Sequence, residues 1–452
     1  MDNGVETMTD QVTSAYNAAA GAPGSDLRHV MDAVRANPGI PTWKRPYPPR
    51  PIFVEERRVR AFADDLMRML DLLTSLPERL FDGDLDRFCD AIGVHGDRRR
   101  LMQRHAADRP VHFGRADVYD DGAAFKLLEF GIGSDLGGWC WAGEVPRALL
   151  EVEPFAAFAQ EHGLGYVHTG HETVRTIREF AAEFTGGREP MVALIEAPGG
   201  LGDFGGIWHN FHRVMRSLGL DFHLGELTDI EERDGALHLD GRRIDVVWRA
   251  FDTDQLLESP EHQALAEPVF RAYEQGQVLL WTTLQTNLFG EKACMALLSD
   301  PRWSGKFSAQ ERELIDRVLP WTRSLQGGEA LDDTELADRI RTRRASLVLK
   351  PNNLYGGHGV VAGWEVDDEQ WWQAVTEGAA GGCVVQERVV PKTELMVDPA
   401  DGALRPWQTL WGVFYQPDGY AGAHARMIPA ESSAIIGFRC MDRIHTGSVF
   451  HF

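Results

Sequence analysis

The sequence predicts a mixed α/β (α+β) protein with helices, a hairpin and a small parallel βα unit. Residues 54–81, "VEERRVRAFADDLMRMLDLLTSLPERLF", carry apolar side chains at helical spacing. Residues 191–198, "MVALIEAP", form a continuous apolar run that is typical of a strand buried in a parallel sheet, and a glycine-rich turn and a helical pattern follow it. Residues 111–131 consist of two strand-like runs around Asp120–Asp121–Gly122, which predicts a β-hairpin.

The length and the charge of the chain narrow the classes of protein to which it could belong. A chain of 452 residues suggests two or three domains. The net charge of −22 would repel nucleic acid and anionic membranes over long range, so neither is expected as a partner. No apolar run approaches about 18 residues, and therefore no membrane-spanning helix is predicted.

The N-terminus and the cysteines indicate a cytoplasmic protein. The first residues, "MDNGVETMTDQVTSAY", are acidic and lack the apolar core of a secretory signal. Five cysteines are scattered along the chain without a CxxC pair, which argues against a zinc site and against a disulfide framework. We therefore expect the reducing cytoplasm, and we leave open a homodimer.

Four segments follow from the order of the patterns along the chain. Residues 1–50 are predicted to form an N-terminal arm, a short helix followed by an extended stretch. Residues 51–190 hold the hairpin and helices, one of them predicted from about 143 to 160, and residues 191–285 hold the βα unit. Residues 286–452 mix helices with strands.

Several elements of the last segment predict a nucleotide cleft. Residues 347–361, "LVLKPNNLYGGHGVV", end an apolar strand on Lys350 and continue into a glycine-rich turn. A lysine beside a flexible loop can bind phosphate, although a strand-end lysine that extends into solvent gives the same pattern. The GxxxxGK[ST] spacing of a P-loop is absent. A second lysine, Lys292, begins a predicted helix in "TNLFGEKACMALLSD", and the strand "GGCVVQERVV" carries Gln386 and Glu387 at its end.

Two carboxylates of the hairpin predict a magnesium site. Asp117 and Glu129 lie on its two strands and can face each other. Two carboxylates about 4 Å apart repel by roughly 4 kcal/mol at an effective dielectric constant of about 20, and Mg²⁺ removes this repulsion. Arg115 shares a strand face with Asp117 and could reach a phosphoryl or acyl oxygen. The alternative is a surface hairpin with solvated charges, but the apolar residues around Glu129 favour a partly enclosed carboxylate.

A weaker pattern points to a different class of ligand. "GLGDFG", residues 200–205, matches the GxGxxG pattern of a dinucleotide site between a strand and a helix. The acidic residue expected about 20 residues later is only loosely supplied by Asp221 or Glu226.

Together the motifs resemble the circularly permuted ATP-grasp ligases, the group related to glutathionylspermidine synthetase and to the eukaryotic type of glutathione synthetase. "RAD" at 115–117 and the glutamate of "LLEF" resemble the metal-binding hairpin of that family. "NLFGEKACMALLSD" and "LVLKPNNLYGGHGV" resemble the segments with its two ATP-binding lysines, and "GVFYQPDGYAGAHARM" resembles its last strand pair with Arg426. The resemblance spans about residues 50–430, and the acidic hairpin precedes the lysines instead of following them.

The resemblance implies an ATP-dependent carboxylate–amine ligase on an ATP-grasp fold with a small βα substrate domain and N-terminal helices. In this family ATP converts a carboxylate to an acyl phosphate, and an amine then attacks to give an amide, ADP and phosphate, with Mg²⁺ as the metal. The implied substrates are a small-molecule or peptide-like carboxylic acid and an amine. The implied site residues are Arg115 and Arg426 for catalysis, Lys292, Lys350, Asn352, Gly356, Gly357, Gly359, Gln386 and Glu387 for ATP, and Asp117, Glu129 and Asn353 for the metal.

One departure from the family pattern bears on the metal. The family usually has an asparagine two residues after the metal-binding glutamate, and here that residue is Gly131. Either Asn352 or Asn353, or Ser134 or Asp135, supplies the missing oxygen, or metal binding is weaker. Two alternative functions therefore stay open: a homologue that binds nucleotide without ligating, and a dinucleotide-dependent oxidoreductase that uses "GLGDFG".

Overall fold

The computed structural model describes residues 10–37, 40, 46–106, 110–326, 329–432, 435–437 and 442–452. Part of the predicted N-terminal arm (residues 1–9, 38–39 and 41–45) and Cys440 lie outside the described residues. Helices and strands alternate along the chain, which confirms the predicted mixed α/β class.

Eighteen α-helices occur in the part of the chain that the structure describes. The longest buries Phe62, Leu66, Met69 and Leu70, which confirms the helical spacing in the sequence. None of the helices within the described ranges is long and apolar enough to cross a membrane. The helices are α1 (Gln11–Gly21), α2 (Val30–Ala36), α3 (Glu56–Thr74), α4 (Leu76–Phe81), α5 (Leu85–Ile92), α6 (Gly96–Gln103), α7 (Trp139–Ala142), α8 (Glu144–Leu149), α9 (Glu153–Glu161), α10 (Thr169–Thr185), α11 (Gly200–Ser217), α12 (Thr253–Leu257), α13 (Pro260–Glu274), α14 (Thr286–Gly290), α15 (Lys292–Ser299), α16 (Ala309–Val318), α17 (Thr334–Thr342) and α18 (Asp368–Gly381).

The same described residues contain eighteen strands, which form four sheets. The strands are β1 (Ile52–Val54), β2 (Gly114–Asp120), β3 (Phe125–Ile132), β4 (Met191–Glu196), β5 (Asp221–Glu226), β6 (Glu231–Arg233), β7 (Ala236–Leu239), β8 (Arg242–Arg243), β9 (Val246–Arg249), β10 (Leu279–Leu280), β11 (Thr322–Ser324), β12 (Leu347–Pro351), β13 (Val361–Ala362), β14 (Cys383–Glu387), β15 (Glu394–Val397), β16 (Leu404–Gln416), β17 (Gly419–Pro429) and β18 (His445–His451).

The largest sheet has the strand order β1-β18-β17-β16-β2-β3, and β15 pairs with the first residues of β16. Strand β1 is parallel to β18, and the other pairs are antiparallel. Strands β2 and β3 form the predicted hairpin. In its turn, Asp121 Oδ1 accepts hydrogen bonds from the backbone N–H groups of Ala123 (2.8 Å) and Ala124 (2.7 Å), a geometry that aspartate favours in turns.

The second sheet, in the order β10-β9-β4-β5, is parallel throughout. All six residues of β4 are buried, which confirms the prediction of a buried parallel strand in this stretch. Trp248 of β9 stacks on Trp281 with 6.0 Å between ring centroids and meets Phe113, at the base of the hairpin, at 5.2 Å. These aromatic contacts pack the parallel sheet against the hairpin.

The third sheet, β11-β14-β12-β13, is antiparallel and carries Lys350 near the end of β12, opposite Val384 of β14. The fourth sheet, β6-β7-β8, is a small antiparallel one beside the parallel strands. The largest sheet draws strands from both 51–190 and 286–452. The predicted segment boundaries therefore do not separate independent sheets, and they stay predictions.

The N-terminal arm is tied to the largest sheet. The side-chain amide of Asn17, on α1, donates to the carbonyl oxygen of Leu395 at 2.8 Å. Arg50 is 1% exposed and donates to Oε2 of Glu394 at 3.1 Å. Because a buried charge needs a partner, these contacts hold the arm against β15.

One predicted helix differs from the structure. The sequence predicts a helix from about 143 to 160, whereas the structure has two helices, α8 and α9, in this stretch. Pro154 has no N–H to donate to the carbonyl oxygen of Leu150, and it lies in the first turn of α9, a position that proline favours.

Candidate active site

The two carboxylates of the hairpin lie directly opposite each other. Asp117 on β2 is the register partner of Glu129 on β3, which confirms that the two side chains share one face of the hairpin. The register shifts immediately after this pair, between Asp117 and Val118. Such an irregularity twists a strand locally and is frequent next to active sites.

Two arginines hold Asp117. Nε of Arg115 donates to Oδ1 of Asp117 at 3.0 Å, and the guanidinium of Arg426, on β17, donates to Oδ2. Arg115 also donates to the carbonyl oxygen of Gly137 at 2.7 Å. Burial disfavours the ionised form of Asp117, but the two guanidiniums outweigh burial and hold its pKa well below the ordinary value. The carboxylate is therefore ionised at neutral pH.

Two lysines converge on the other strand of the hairpin. Nζ of Lys292, at the start of α15, donates to Oε1 of Glu129 at 3.2 Å. Nζ of Lys350 donates to the carbonyl oxygen of Leu128 at 3.2 Å and to Oε1 of Gln386 at 2.6 Å. The two lysines therefore meet consecutive residues of β3, although they come from different elements.

The pKa of Lys350 is lowered by its surroundings. Burial lowers its pKa, Glu129 opposes the shift and Lys292 adds to it, so that the pKa falls to about 8. Gln386 fixes the direction of the ammonium group, because it also donates to Oγ1 of Thr322 at 3.0 Å. Glu387, the next residue, accepts a hydrogen bond from Arg343 at 2.7 Å.

Two adjoining cavities open beside these groups. The large cavity has a volume of about 610 Å³ and is lined by Lys292 and the loop after β12. The small cavity, of about 100 Å³, is lined by Lys350, Gln386 and Glu387. Asp117 and Glu129 border both cavities and therefore lie at their junction.

The loop after β12 depends on glycine. Gly356, Gly357 and Gly359 have φ angles of 64°, 79° and 66°, a left-handed conformation that residues with a Cβ rarely adopt. The same loop exposes Leu354 and Tyr355, which line the large cavity. The loop therefore borders the site with two apolar side chains and with a left-handed backbone conformation that glycine adopts readily.

The carboxyl ends of two parallel strands form an acidic wall of the large cavity. Glu196 ends β4 and is 1% exposed, while Asp252 follows β9. Burial raises the pKa of Glu196, and burial together with the charges of Asp135 and Asp254 raises the pKa of Asp252. Ligands of open α/β sheets bind at this edge. The large cavity is therefore cationic near the hairpin and acidic near the parallel sheet.

Packing explains the glycine at position 131. A Cβ atom there would lie 2.9 Å from Cδ2 of Leu136 and 3.0 Å from the carbonyl oxygen of Arg115. Ser134, one predicted substitute for the missing asparagine, is fully buried and donates to the carbonyl oxygen of Arg249 at 2.6 Å. Ser134 is therefore not placed to bind a metal in the cavity. Asp135, the other predicted substitute, lines the large cavity.

The two loop asparagines have different surroundings. Asn353 is exposed and lines the large cavity. Asn352 is 7% exposed, its Oδ1 accepts from the N–H of Ala293 at 2.7 Å, and its Nδ2 donates to the carbonyl oxygen of Ile92 at 2.7 Å. Both side-chain groups of Asn352 are occupied within the protein. Its predicted cofactor-binding role stays a prediction, since Asn352 also lines the large cavity.

The "GLGDFG" stretch differs from a dinucleotide site. It forms the first turns of α11, and the carboxylate of Glu226 accepts hydrogen bonds from the N–H groups of Gly199 and Leu201, both at 2.9 Å. A helix N-terminus attracts a phosphate through these same free N–H groups. Because Glu226 occupies them with a negative charge, the observation contradicts a pyrophosphate at this position.

His424 is a cavity residue that the sequence reasoning missed. It lines the large cavity two residues before Arg426 on β17. A side chain at Gly412 would lie 2.7 Å from the His424 ring and 2.8 Å from Cδ of Arg115. The imidazole of His424 is thus packed beside Arg115, one of the two arginines that bind Asp117. Period-two spacing from Arg426 is the signal that could have found it.

The donor set fits Mg²⁺. Asp117 and Glu129 offer oxygen ligands from neighbouring strands, and Mg²⁺ prefers oxygen. Asn353 offers a further oxygen that lines the same cavity. Among the described residues, no group of three or more His, Cys, Asp or Glu side chains could hold a metal. A metal at the hairpin would compete with the cations that now neutralise the two carboxylates.

Comparisons with known proteins show a similarity of fold to solved structures. No protein-family model and no curated protein sequence matches the chain. The structure of a glutathione synthetase-like effector from Globodera pallida, in its apo form, is similar with a TM-score of 0.58 at 13% identity, covering 99% of this chain and 99% of that chain.

Two further solved structures are more distant. A candidate gamma-glutamylcysteine synthetase from Methylobacillus flagellatus KT has a TM-score of 0.44 at 11% identity, covering 83% of this chain and 87% of that chain. D-alanyl-alanine synthetase A from Vibrio cholerae has a TM-score of 0.27 at 13% identity, covering 49% of this chain and 67% of that chain. The predicted resemblance to glutathione synthetase-like ATP-grasp proteins is confirmed at the level of the fold by the first comparison.

Restoring the family asparagine at position 131 tests the packing there. Gly131→Asn should destabilise the fold by about 1–3 kcal/mol, because the new side chain must displace Leu136. The double variant Gly131→Asn/Leu136→Ala should regain part of that loss in urea denaturation. A single variant as stable as the wild type would contradict this view of the site.

Glu226→Ala tests whether the carboxylate of Glu226 stabilises the N-terminus of α11. The variant should lose about 1 kcal/mol of stability, because two helix N–H groups lose their acceptor. Glu161→Ala, which removes an exposed carboxylate elsewhere, is the control and should melt like the wild type. NAD(H) should not raise the melting temperature of the wild type, and a clear rise would restore the dinucleotide hypothesis.

Proposed function

We propose that this chain, which has the fold of glutathione synthetase-like ATP-grasp proteins, is an ATP-dependent carboxylate–amine ligase. The proposal is carried by the convergence of Lys292 and Lys350 on the strand of Glu129, directly opposite Asp117. A triphosphate needs positive charge and its metal ion needs oxygen ligands, and these four side chains supply both.

In this proposal the nucleotide spans the two cavities. Its phosphates lie between Lys292 and Lys350, beneath the loop of Gly356 and Gly357, and its base enters the small cavity. Trp364 lines the small cavity, and its buried indole N–H has no hydrogen-bond partner within the described residues. A buried donor without an acceptor is costly. A nucleobase that accepts this hydrogen bond would remove that cost.

The metal and the acid substrate belong at the hairpin. Asp117, Glu129 and the amide oxygen of Asn353 would hold Mg²⁺, which when bound neutralises phosphate charge. Arg115 and Arg426 line the large cavity beside them and would bind the substrate carboxylate. Their guanidiniums would then stabilise the negative charge of the acyl phosphate and of the tetrahedral oxyanion.

The proposed reaction has two transfers. A carboxylate oxygen attacks the γ-phosphorus of ATP, which breaks the bond to ADP and forms an acyl phosphate. The amine nitrogen then attacks the acyl carbon, a C–N bond forms, and the C–O bond to phosphate breaks as phosphate leaves. A bare carboxylate is too poor an electrophile for direct attack, so the first transfer supplies the driving force.

The acidic wall suits the amine substrate. Glu196 accepts hydrogen bonds from Nε1 of Trp208 (2.7 Å), Nε2 of Gln255 (3.0 Å) and the N–H of Ala197 (2.9 Å), all of which are neutral donors. An ammonium group would be attracted there. The raised pKa values of Glu196 and Asp252 suit either carboxylate to accept the proton that the amine loses on attack.

The chain order supports a circular permutation as part of the proposal. Strands β2 and β3, which carry the carboxylates, precede the elements that carry Lys292 and Lys350. The four nevertheless share one site. On this view the parallel sheet is the substrate domain, and the segment boundaries at residues 50, 190 and 285 belong to the same proposal.

A second candidate function is nucleotide binding without ligation. Two observations favour it. Both carboxylate oxygens of Asp117 are held by arginines, and position 131 has no room for the family asparagine without movement of Leu136. Both features weaken a metal site, and phosphoryl transfer depends on charge neutralisation.

Product formation separates the two functions. Mg·ATP with pools of acids and amines should yield ADP, phosphate and a product with the mass of an acid plus an amine less water, measured by mass spectrometry. Glu129→Gln should abolish turnover in a protein that still folds, because glutamine keeps an oxygen acceptor for Lys292 and removes the negative charge.

Binding controls complete this experiment. Mg·ATP at about 100 times its Kd should stabilise the protein by roughly 2.7 kcal/mol. ATP-dependent stabilisation without any product would favour the non-ligating function, and absence of stabilisation would contradict both.

The affinity for ATP should depend on pH through Lys350. With a pKa of about 8, the ammonium is charged below pH 8 and neutral above it, so ATP affinity is present below pH 8 and is lost as the pH rises through that value. Calorimetric titration should show Kd rising up to about tenfold per pH unit above pH 8.

Two variants make this pH dependence specific. Lys350→Arg keeps a charge at all accessible pH values and should flatten the profile. Lys350→Met should bind ATP weakly at every pH. A profile that stays unchanged in both variants would return Lys350 to a structural role.

A further inference from the structure

We infer that Asn352 is a positioning residue that fixes Lys292 relative to Lys350 and so sets the distance between the two phosphate-binding cations. The inference rests on the proposed function, because it assigns Asn352 a part in nucleotide binding without any contact to the nucleotide. Asn352 lies two residues after Lys350 in the chain, at the end of β12.

The first turn of α15 is held by Asn352. The first N–H groups of a helix have no acceptor within the helix. At α15 the N–H of Lys292 donates to the carbonyl oxygen of Asn352 at 3.3 Å, and the N–H of Ala293 donates to its Oδ1 at 2.7 Å. Glu291, which precedes the helix, instead directs its carboxylate to Arg98 at 3.2 Å.

Asn352 therefore acts as the cap of a helix that lies far away in the sequence. Asparagine is among the preferred capping residues, since its side-chain oxygen accepts from helix N–H groups. Here the capped helix begins with Lys292 itself. The cap thus fixes the backbone from which the first phosphate lysine extends.

The remaining groups of Asn352 fix the cap in turn. Its Nδ2 donates to the carbonyl oxygen of Ile92, the last residue of α5, at 2.7 Å, and its backbone N–H donates to the carbonyl oxygen of Gly382 at 3.0 Å. Nζ of Lys292 donates to the carbonyl oxygen of Leu354, two residues beyond Asn352, at 2.5 Å. The asparagine, the lysine and the loop form a closed ring of contacts.

This ring explains why a buried amide stands at this point of the loop. Lys350 reaches the carbonyl oxygen of Leu128 and Lys292 reaches Glu129, so the two ammonium groups contact consecutive residues of the hairpin. A rigid joint between β12 and α15 keeps the two lysines at this spacing. A residue without the amide would lose the bonds to the N–H of Ala293 and to the carbonyl oxygen of Ile92, and the start of α15 would be held less firmly.

The test uses nucleotide affinity in a double-mutant cycle. Asn352→Ala should weaken binding of a non-hydrolysable ATP analogue about tenfold, as removal of a supporting residue commonly does. In a Lys292→Met background the same substitution should have no further effect, because its influence passes through Lys292. Calorimetry at low temperature, with folding checked by circular dichroism, gives all four affinities.

Asn17→Ala is the matched control. Asn17 is also a buried asparagine that donates to a backbone carbonyl oxygen, that of Leu395, but it lies on α1 away from the cavities. It should lower the melting temperature and leave the affinity for the ATP analogue unchanged. An equal loss of affinity in Asn17→Ala, or an equal loss with and without Lys292, would overturn the inference.

A second variant keeps the inference testable if Asn352→Ala does not fold. A second measurement distinguishes failure of the inference from failure of the proposed function. Asn352→Ser keeps a hydroxyl acceptor for the helix and should lose less affinity than Asn352→Ala. Hydrogen exchange at the amide of Ala293, which donates to the side chain of Asn352, should accelerate in Asn352→Ala, less so in Asn352→Ser, and not in Asn17→Ala. If the wild type binds no ATP analogue, the proposed function fails. Unchanged exchange at this amide in Asn352→Ala would overturn the cap itself.

Discussion

Asp117 and Glu129 face each other across the hairpin, and the charge of this pair has to be balanced by cations from other parts of the chain. Arg115 comes from the hairpin itself, Arg426 from β17 and Lys292 from α15. These contacts join the largest sheet to α15 at the carboxylates, and Lys350 of the third sheet reaches the neighbouring carbonyl oxygen of Leu128. Both cavities border this pair of carboxylates.

Local features of the sequence predict much of the site. The hairpin, the strand that carries Lys350 and the helix that begins at Lys292 follow from patterns within about 20 residues of each side chain. Contacts between distant segments could not be predicted. Strand β1 pairs with β18, and Asn352 caps a helix that lies 59 residues away in the chain. No local pattern distinguishes a capping asparagine from one that only shapes a turn.

The glycine motif shows how a shared pattern can serve another purpose. "GLGDFG" starts a helix after a buried parallel strand, as in a dinucleotide site, yet the carboxylate of Glu226 fills the position of the phosphate. Leu136 likewise fills the space that an asparagine at 131 would need. In both cases another side chain of the chain occupies the space that the motif would need. The fold shared with glutathione synthetase-like proteins does not show this, since one fold hosts many functions.

A crystal structure of the protein with Mg²⁺ and a non-hydrolysable ATP analogue tests the central claim most directly. The proposal predicts the γ-phosphate within hydrogen-bond distance of Nζ of Lys292 and Nζ of Lys350, the metal on the carboxylates of Asp117 and Glu129, and the base in the small cavity beside Trp364. A nucleotide bound elsewhere, with Lys292 still paired to Glu129 and both arginines still on Asp117, would contradict it.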